Sequence, residues 1–192
     1  VQTVANEEGR PQRIIGHCWQ PGWLSKVKMG DRICILGSGL TMIDQVLTLR
    51  GKGHTGPIHV LSRRGLVPHP HISPPLHPVD PILPEKTTQI SRLLQSLRKQ
   101  VREGAPWRTV MDGLRPRTQS LWQALTAAQR SRFLRHALPW WNIHRHRIAP
   151  EVHAAFEKLL ADDILEIHAG YLSSVVEQDE GITLCYRRRH TQ

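Results

Sequence analysis

The chain is poor in cysteine and has no long apolar run. Its 192 residues include three cysteines, Cys18, Cys34 and Cys185, which lie far apart and form no C-x-x-C pair. A disulfide framework is therefore not expected, which favours a reducing compartment. No segment approaches the roughly 20 apolar residues of a transmembrane helix, and residues 1–8 lack the basic and apolar regions of a signal peptide. These absences predict a cytoplasmic protein that does not enter the membrane.

Phenylalanine and tyrosine are also scarce, with two of each. An aromatic platform for single-stranded nucleic acid is therefore not evident. The chain has 26 Lys and Arg against 16 Asp and Glu, which gives a formal net charge of +10. Such an excess of basic residues is typical of proteins that bind polyanions. The basic residues are spread over the whole chain, however, so we expect a phosphate-rich cofactor or an acidic neighbouring domain and no nucleic-acid partner.

Several catalytic and metal-binding motifs are missing. The chain has no G-x-S-x-G, no lysine-bearing P-loop and no H-E-x-x-H. Zinc needs three or four converging ligands, usually including Cys, Asp or Glu. We therefore predict no metal site and expect the twelve histidines to make local hydrogen bonds. Six of them fall into two local groups: His69, His71 and His77; His136, His144 and His146.

The chain does contain a strand, a glycine-rich turn and a helix in close succession. Residues 32–36 are almost fully apolar, as is typical of a buried parallel strand. Gly37, Ser38 and Gly39 then allow a tight turn, and the second glycine lets a phosphate approach the backbone without meeting a Cβ. A helix beginning at Leu40 and Thr41 would favour an anion at its N-terminus. This segment predicts a phosphate-binding turn.

The glycine pattern is incomplete. Met42 stands where the dinucleotide fingerprint has its third glycine, which normally permits close packing of the helix on the strand. We therefore expect the helix to lie slightly farther from the sheet. The alternative is an ordinary strand, turn and helix that binds no ligand.

A second predicted strand, residues 57–61, ends on Ser62, Arg63 and Arg64. Sites for NAD usually place an acidic residue here to bind the ribose 2′-hydroxyl. A guanidinium instead pairs with a 2′-phosphate through charge-assisted hydrogen bonds. The sequence therefore favours NADP(H) as the cofactor. The alternative is a solvated pair of surface arginines.

The rest of the chain predicts an α/β fold, in which a Rossmann-like βαβ parallel sheet carries a helical insertion and a C-terminal β-hairpin. Residues 1–30 form a lead-in, and residues 66–84 contain seven prolines, which predicts an extended loop that either covers the nicotinamide or serves as a linker. The expected boundaries are 31–170 for the nucleotide-binding domain, about 85–162 for its insertion and 171–192 for the hairpin. Helices are predicted at residues 85–102, 107–114, 118–125, 127–138 and 150–161, with a break at 139–141. Strands are predicted at residues 164–170, 171–176 and 182–188, with a turn at 178–181.

The segment at residues 140–147, WWNIHRHR, combines two tryptophans with several cationic groups. Such a segment could contact a phosphate, a nicotinamide or a partner domain. The other interpretation is a tryptophan-anchored corner of the core with a solvated basic flank.

Four segments together resemble the bacterial FAD/NAD(P)-binding proteins of the YdhS-like group: residues 36–44 (LGSGLTMID), 61–65 (LSRRG), 68–71 (PHPH) and 139–150 (PWWNIHRHRIAP). The resemblance covers residues 19–188. It implies a flavoprotein with two dinucleotide-binding domains, in which the NAD(P) domain is inserted into an FAD domain. No strand with a glycine fingerprint for FAD precedes residue 30, so we expect this chain to be the NAD(P) portion with its connections, and FAD to bind on a missing domain of the same protein.

These expectations combine into a functional hypothesis. The chain is the NADP(H)-binding region of a flavin-dependent oxidoreductase, with monooxygenase-like enzymes among the possibilities, and it passes hydride from NADPH to FAD. The residues expected to bind the cofactor are Gly37, Ser38, Gly39, Leu40, Thr41, Ser62, Arg63 and Arg64. The alternatives are a non-catalytic nucleotide-binding or interaction module with a vestigial pocket, and a methyltransferase, against which the two arginines argue. No residue is identified as a catalytic acid or base.

Overall fold

The computed structural model describes residues 13–16, 18–19, 21–84 and 89–189, so residues 1–12, 17 and 20 of the predicted lead-in lie outside these ranges. The chain divides into two compact units. The α/β unit comprises Val1–Val67 and Glu151–Gln192, and the helical unit comprises Pro68–Pro150. The sequence predicted a helical insertion at about residues 85–162. The helical unit instead begins at Pro68 and ends at Pro150.

The α/β unit contains a four-stranded sheet in the order β1-β2-β3-β4. The first three strands are parallel and the last pair is antiparallel. A mostly parallel sheet with a C-terminal hairpin is therefore confirmed. The strands are β1 (Ile33–Leu36), β2 (Ile58–Ser62), β3 (Leu165–Gln178) and β4 (Gly181–Arg188).

Strand β3 corrects the sequence prediction of two separate strands that meet at Gly170. It is one strand of 14 residues: residues 165–169 pair with β2, and residues 170–178 pair with β4. A Cβ on Gly170 would lie 2.6 Å from the ring of Tyr186 and 2.8 Å from the carbonyl oxygen of Arg187. Gly170 thus continues the strand where a second strand comes close, and does not end it.

Helices occur in both units of the described chain. They are α1 (Leu40–Gly51), α2 (Ile90–Arg102), α3 (Trp107–Leu114), α4 (Thr118–Ala124), α5 (Ala127–His136), α6 (Leu138–Arg145) and α7 (Pro150–Ala161). Two short 3-10 helices add Trp23–Lys26 and Arg115–Arg117. None of the helices in the described residues is long and apolar enough to cross a bilayer.

The core of the α/β unit is made by α1, α7 and one face of the sheet. Helices α1 and α7 lead into parallel strands, and right-handed connections place both on the same side of the sheet in this strand order. Among the described residues, the most deeply buried apolar side chains of the unit are Ile43, Val46, Ile58, Val60, Phe156 and Leu165.

The two tryptophans of the WWNIHRHR segment correct another prediction. Residues 139–141 were expected to break a helix, but they lie in the first half of α6. Proline is tolerated in a first helical turn because the N–H that it lacks has no intrahelical partner there. Pro139 therefore lies in the first turn of α6, which begins soon after α5 ends, and Pro150 begins α7 where the sequence predicted it.

The proline-rich segment at residues 66–84 contains no helix and no strand, as predicted, apart from one isolated bridge between Pro70 and Ile148. From Pro68 onward this segment belongs to the helical unit, where hydrogen bonds and close packing hold it. The side chain of Gln100 accepts a hydrogen bond from the N–H of Ile82 at 2.9 Å and donates one to the carbonyl oxygen of Ile82 at 2.9 Å. A Cβ on Gly113 would overlap the backbone of Val79, so α3 packs directly on this segment.

Candidate functional site

The turn after β1 is shaped by Gly37. Its φ of 109° lies in the region that side chains disfavour, so a glycine is required there. Its N–H donates to the carbonyl oxygen of Leu61 at 2.8 Å. This bond ties the end of β1 to the end of β2, so the two loops that follow these strands begin at one edge of the sheet.

Gly39 is the N-cap of α1, and its backbone conformation, unlike that of Gly37, does not require a glycine. Its φ of −87° and ψ of −170° suit any residue, and a Cβ there would meet nothing within 4 Å among the described residues. No described side chain caps the helix at this point either. Neither backbone conformation nor packing within the described chain therefore demands a glycine. What the glycine leaves is open space in front of the N-terminus of α1.

The two predicted serines bind each other. Ser38 Oγ lies 2.9 Å from Ser62 Oγ and donates to the carbonyl oxygen of Leu66 at 2.5 Å. Ser62 Oγ accepts a hydrogen bond from the N–H of Gly65 at 2.9 Å. Both hydroxyls are thus used to join the loop after β1 to the loop after β2, which holds these loops together.

The two predicted arginines follow directly on β2. Arg63 is exposed and Arg64 is partly buried. Within the described ranges, neither guanidinium has a hydrogen-bond or ion-pair partner in the protein. Two arginines that form no ion pair with any described carboxylate therefore lie at the carboxyl edge of the sheet, where β1 and β2 end together.

The first turn of α1 supplies the remaining predicted residues. Leu40 and Thr41 are exposed beside the open space, whereas Met42 is only 3% exposed and belongs to the core. All eight residues predicted to bind the cofactor thus lie at one edge of the sheet, on the last residue of β2, the two loops and the first turn of α1.

The helical unit gathers a different set of side chains. The side chain of Arg147 is 4% exposed and forms an ion pair with Asp112. The rings of His69, Trp107 and His144 pack against one another, with centroids 4.7–5.1 Å apart. The basic end of the WWNIHRHR segment is therefore packed into a corner of this unit. One interpretation of the sequence expected this basic flank to be solvated, but the side chain of Arg147 is buried.

The helical unit also contains an apolar pocket of about 820 Å³ that is open to solvent, which the sequence did not predict. Its walls come from α2 to α6, and the residues with ionisable side chains in this described lining are Arg98, Arg102, His136 and His144. The largest apolar side chains in the lining are Trp107, Met111, Trp122, Phe133, Trp140 and Trp141.

A third cluster was missed entirely by sequence reasoning. His59 of β2 and Glu166 and His168 of β3 bring three possible metal-ligand atoms within 4.8 Å of one another. Strand alternation was the available signal, because Glu166 and His168 are two residues apart on a strand whose other side is apolar. Cys34 pairs in register with His59, so it shares this face of the sheet, and burial raises the pKa of its thiol.

Comparisons with known proteins add no assignment: no family model, no curated protein and no solved structure matches this chain.

Proposed function

We propose that the α/β unit binds NADP(H) at the carboxyl edge of β1 and β2, as the nucleotide-binding part of a flavin-dependent oxidoreductase. The observation that carries this proposal is Gly39, a residue that neither the backbone nor the packing of the described chain requires to be glycine. In this proposal the α/β unit is a Rossmann-like βαβ fold, in keeping with the resemblance to FAD/NAD(P)-binding proteins.

The pyrophosphate would lie against the turn between β1 and α1. The first N–H groups of a helix have no intrahelical partners, and the helix dipole adds partial positive charge. With no described side chain capping α1 and no Cβ on Gly39, a phosphate can reach the N–H groups of Leu40 and Thr41. The linked hydroxyls of Ser38 and Ser62 hold the two loops in place around it.

Arg63 and Arg64 would bind the 2′-phosphate of the adenosine ribose. Guanidinium groups form strong charge-assisted hydrogen bonds with phosphate. Neither arginine has a hydrogen-bond or ion-pair partner in the described chain that would have to be displaced. The absence of an acidic residue at the end of β2 favours NADP(H) over NAD(H).

The chemistry of such a site belongs to the cofactors. Bound NADPH supplies a hydride, for which FAD on another domain of the same protein is the proposed acceptor. The residues of this chain provide placement and charge: the turn orients the pyrophosphate, and the arginines select the phosphorylated ribose. No acid or base is needed from the eight residues of the site.

Substitution of Gly39 tests the phosphate position. Gly39→Asp supplies a good N-cap, so we expect unchanged or higher thermal stability. The carboxylate would occupy the open space and repel a phosphate, so NADPH affinity in calorimetric titration should fall at least about tenfold, equal to about 1.4 kcal/mol. Gly39→Asn is the matched control for size and capping, and should weaken binding less. Equal NADPH affinity in wild type and Gly39→Asp would refute the site.

Substitution of the arginines tests the cofactor preference. Wild type should bind NADPH more tightly than NADH, and Arg63→Glu or Arg64→Glu should weaken NADPH selectively. Arg32→Glu is the control for total charge, because Arg32 is exposed and precedes β1 at the opposite edge of the sheet. Equal affinity for the two cofactors, or equal losses in Arg32→Glu, would contradict the preference for NADP(H).

A second candidate is a nucleotide-binding or interaction module whose pocket is vestigial. The burial of Met42 at the third fingerprint position favours it, because this methionine now serves the core. A ligand that binds the native state raises thermal stability. Saturating NADPH that leaves the melting temperature unchanged would favour this second candidate.

A further inference from the structure

Three polar side chains share one face of the sheet in the α/β unit. His59 of β2 pairs in register with Glu166 of β3, and His168 follows Glu166 by two residues. Side chains two apart on a strand point to the same side, so all three project from the face opposite to Ile58, Val60 and Leu165. The two histidine side chains are each 25% exposed and Glu166 is 53% exposed, so water and ions can reach them.

The three side chains turn one atom each toward a common point. His59 Nδ1 and His168 Nε2 are 3.3 Å apart. Glu166 Oε2 lies 3.3 Å from His168 Nε2 and 3.6 Å from His59 Nδ1. In a tetrahedral zinc site with bonds of about 2.0–2.1 Å, neighbouring ligand atoms are about 3.3–3.4 Å apart. The triangle therefore has the size of one face of a zinc coordination tetrahedron.

We propose that His59, Glu166 and His168 bind one divalent transition-metal ion, and that Zn²⁺ is the ion whose chemistry fits them best. Two imidazole nitrogens and one carboxylate oxygen form a ligand set that zinc accepts, and three protein ligands leave the fourth position open to water. The ion would join β2 to β3 on the side of the sheet opposite to α1 and α7. This site shares no residue with the proposed nucleotide site.

Tyr186 of β4 orients one of the ligands. Its hydroxyl oxygen lies 3.3 Å from His168 Nδ1. When Nε2 of an imidazole binds a metal, Nδ1 carries the proton, so here Nδ1–H would donate to the tyrosine oxygen. Such partners of metal-bound histidines fix the tautomer and the ring orientation, and their loss typically costs about 10–100-fold in metal affinity. Tyr186 is therefore a positioning residue for His168.

The test uses the 192-residue chain, stripped with a chelator and titrated with ZnCl₂ in a calorimeter. We expect one ion per chain and a higher melting temperature with zinc than without it. Glu166→Gln should weaken binding at least about tenfold, and its half-exposed position predicts an unchanged melting temperature in chelator. His168→Ala should abolish the site, and Tyr186→Phe should weaken it by about tenfold.

The matched control is His153→Ala. His153 and Glu157 form a second histidine–glutamate pair in the α/β unit, 3.6 Å apart on α7, and the described residues offer them no third ligand. Zinc binding should be unchanged in this variant. Absorption of the Co²⁺-loaded chain gives an independent signal, because four-coordinate and six-coordinate cobalt differ strongly in visible intensity. No saturable binding, equal binding in Glu166→Gln, or equal loss in His153→Ala would overturn the proposal.

Discussion

The α/β unit and the helical unit bury their apolar residues in different ways. In the α/β unit, three parallel strands bring together segments that are about 25 and 107 residues apart in sequence, as in the pairs of Ile33 with Ile58 and of Ile58 with Leu165. Val60 is 0% exposed and Phe156 is 1% exposed in the resulting core. Long-range pairing therefore produces a closed interior.

The helical unit uses short elements and polar anchors. Helix α4 has 7 residues, and α3 and α6 have 8 each, lengths at which an isolated helix is marginal in water. Side chains tie these helices to irregular backbone, as Gln100 does to Ile82 and as Arg108 does to the carbonyl oxygen of Pro70. An apolar pocket of about 820 Å³, open to solvent, lies between these helices. We therefore predict a tighter core in the α/β unit.

The largest expected effect comes from matched leucine deletions. Leu165→Ala in β3 should cost about 4 kcal/mol in the free energy of unfolding, near the upper end for leucine deletions, because the side chain is 2% exposed in a closed core. Leu93→Ala should cost about 2 kcal/mol, because Leu93 lines the open pocket and its side chain has fewer packing contacts to lose.

Denaturant unfolding, followed by circular dichroism and by tryptophan fluorescence, measures both variants. Four of the six tryptophans, Trp107, Trp122, Trp140 and Trp141, lie in the helical unit, so fluorescence reports mainly on that unit. Equal losses in the two variants would contradict the difference in packing.

A smaller effect should come from the ion pair that anchors α3. Asp112→Ala leaves the buried guanidinium of Arg147 without its carboxylate, which should cost about 3 kcal/mol. Asp80→Ala removes the exposed pair with Arg117 and should cost less than about 1 kcal/mol. Thermal unfolding of the two variants compares them directly. If Asp112→Ala were as stable as Asp80→Ala, the polar anchors would not hold the helical unit together.

The smallest effect concerns Cys34 inside the α/β unit. Burial raises the pKa of its thiol, so less thiolate is present at neutral pH and alkylation should be slow. The alkylation rate of Cys34 should rise only at a pH above the range in which an ordinary thiol ionises. Cys185 on β4 is exposed and serves as the internal reference. Peptide mapping after iodoacetamide treatment measures both rates, and equal rates at pH 7 would mean that β1 is more open than its burial indicates.

Sequence reasoning worked best where a local rule decides the structure. The turn at Gly37, the start of α7 at Pro150 and the span of α3 at Trp107–Leu114 follow from backbone preferences and apolar spacing. It failed at Gly170, where the neighbouring strand and not the local sequence explains the glycine. It failed again at Pro139, where a proline that was expected to end one helix lies in the first turn of the next.

The candidate sites divide in the same way. The eight residues of the proposed nucleotide site lie in two short segments, so a sequence motif could identify them. The fold then brings the two segments to one edge of the sheet. The cluster of His59, Glu166 and His168 spans more than a hundred residues, and its members meet because β2 and β3 pair in one particular register. No local pattern specifies that register.

The sequence by itself determined the strand, turn and helix around Gly37 and Gly39, the arginines after β2 and the helical character of most of residues 90–161. Each of these follows from side-chain and backbone preferences over a few residues. The tertiary structure alone decided that Gly39 faces open space, that Arg147 is buried beside Asp112 and that two histidines and a glutamate converge on one point. The physical reason is that burial and convergence depend on which distant segments pack together, and that packing is a property of the whole folded unit.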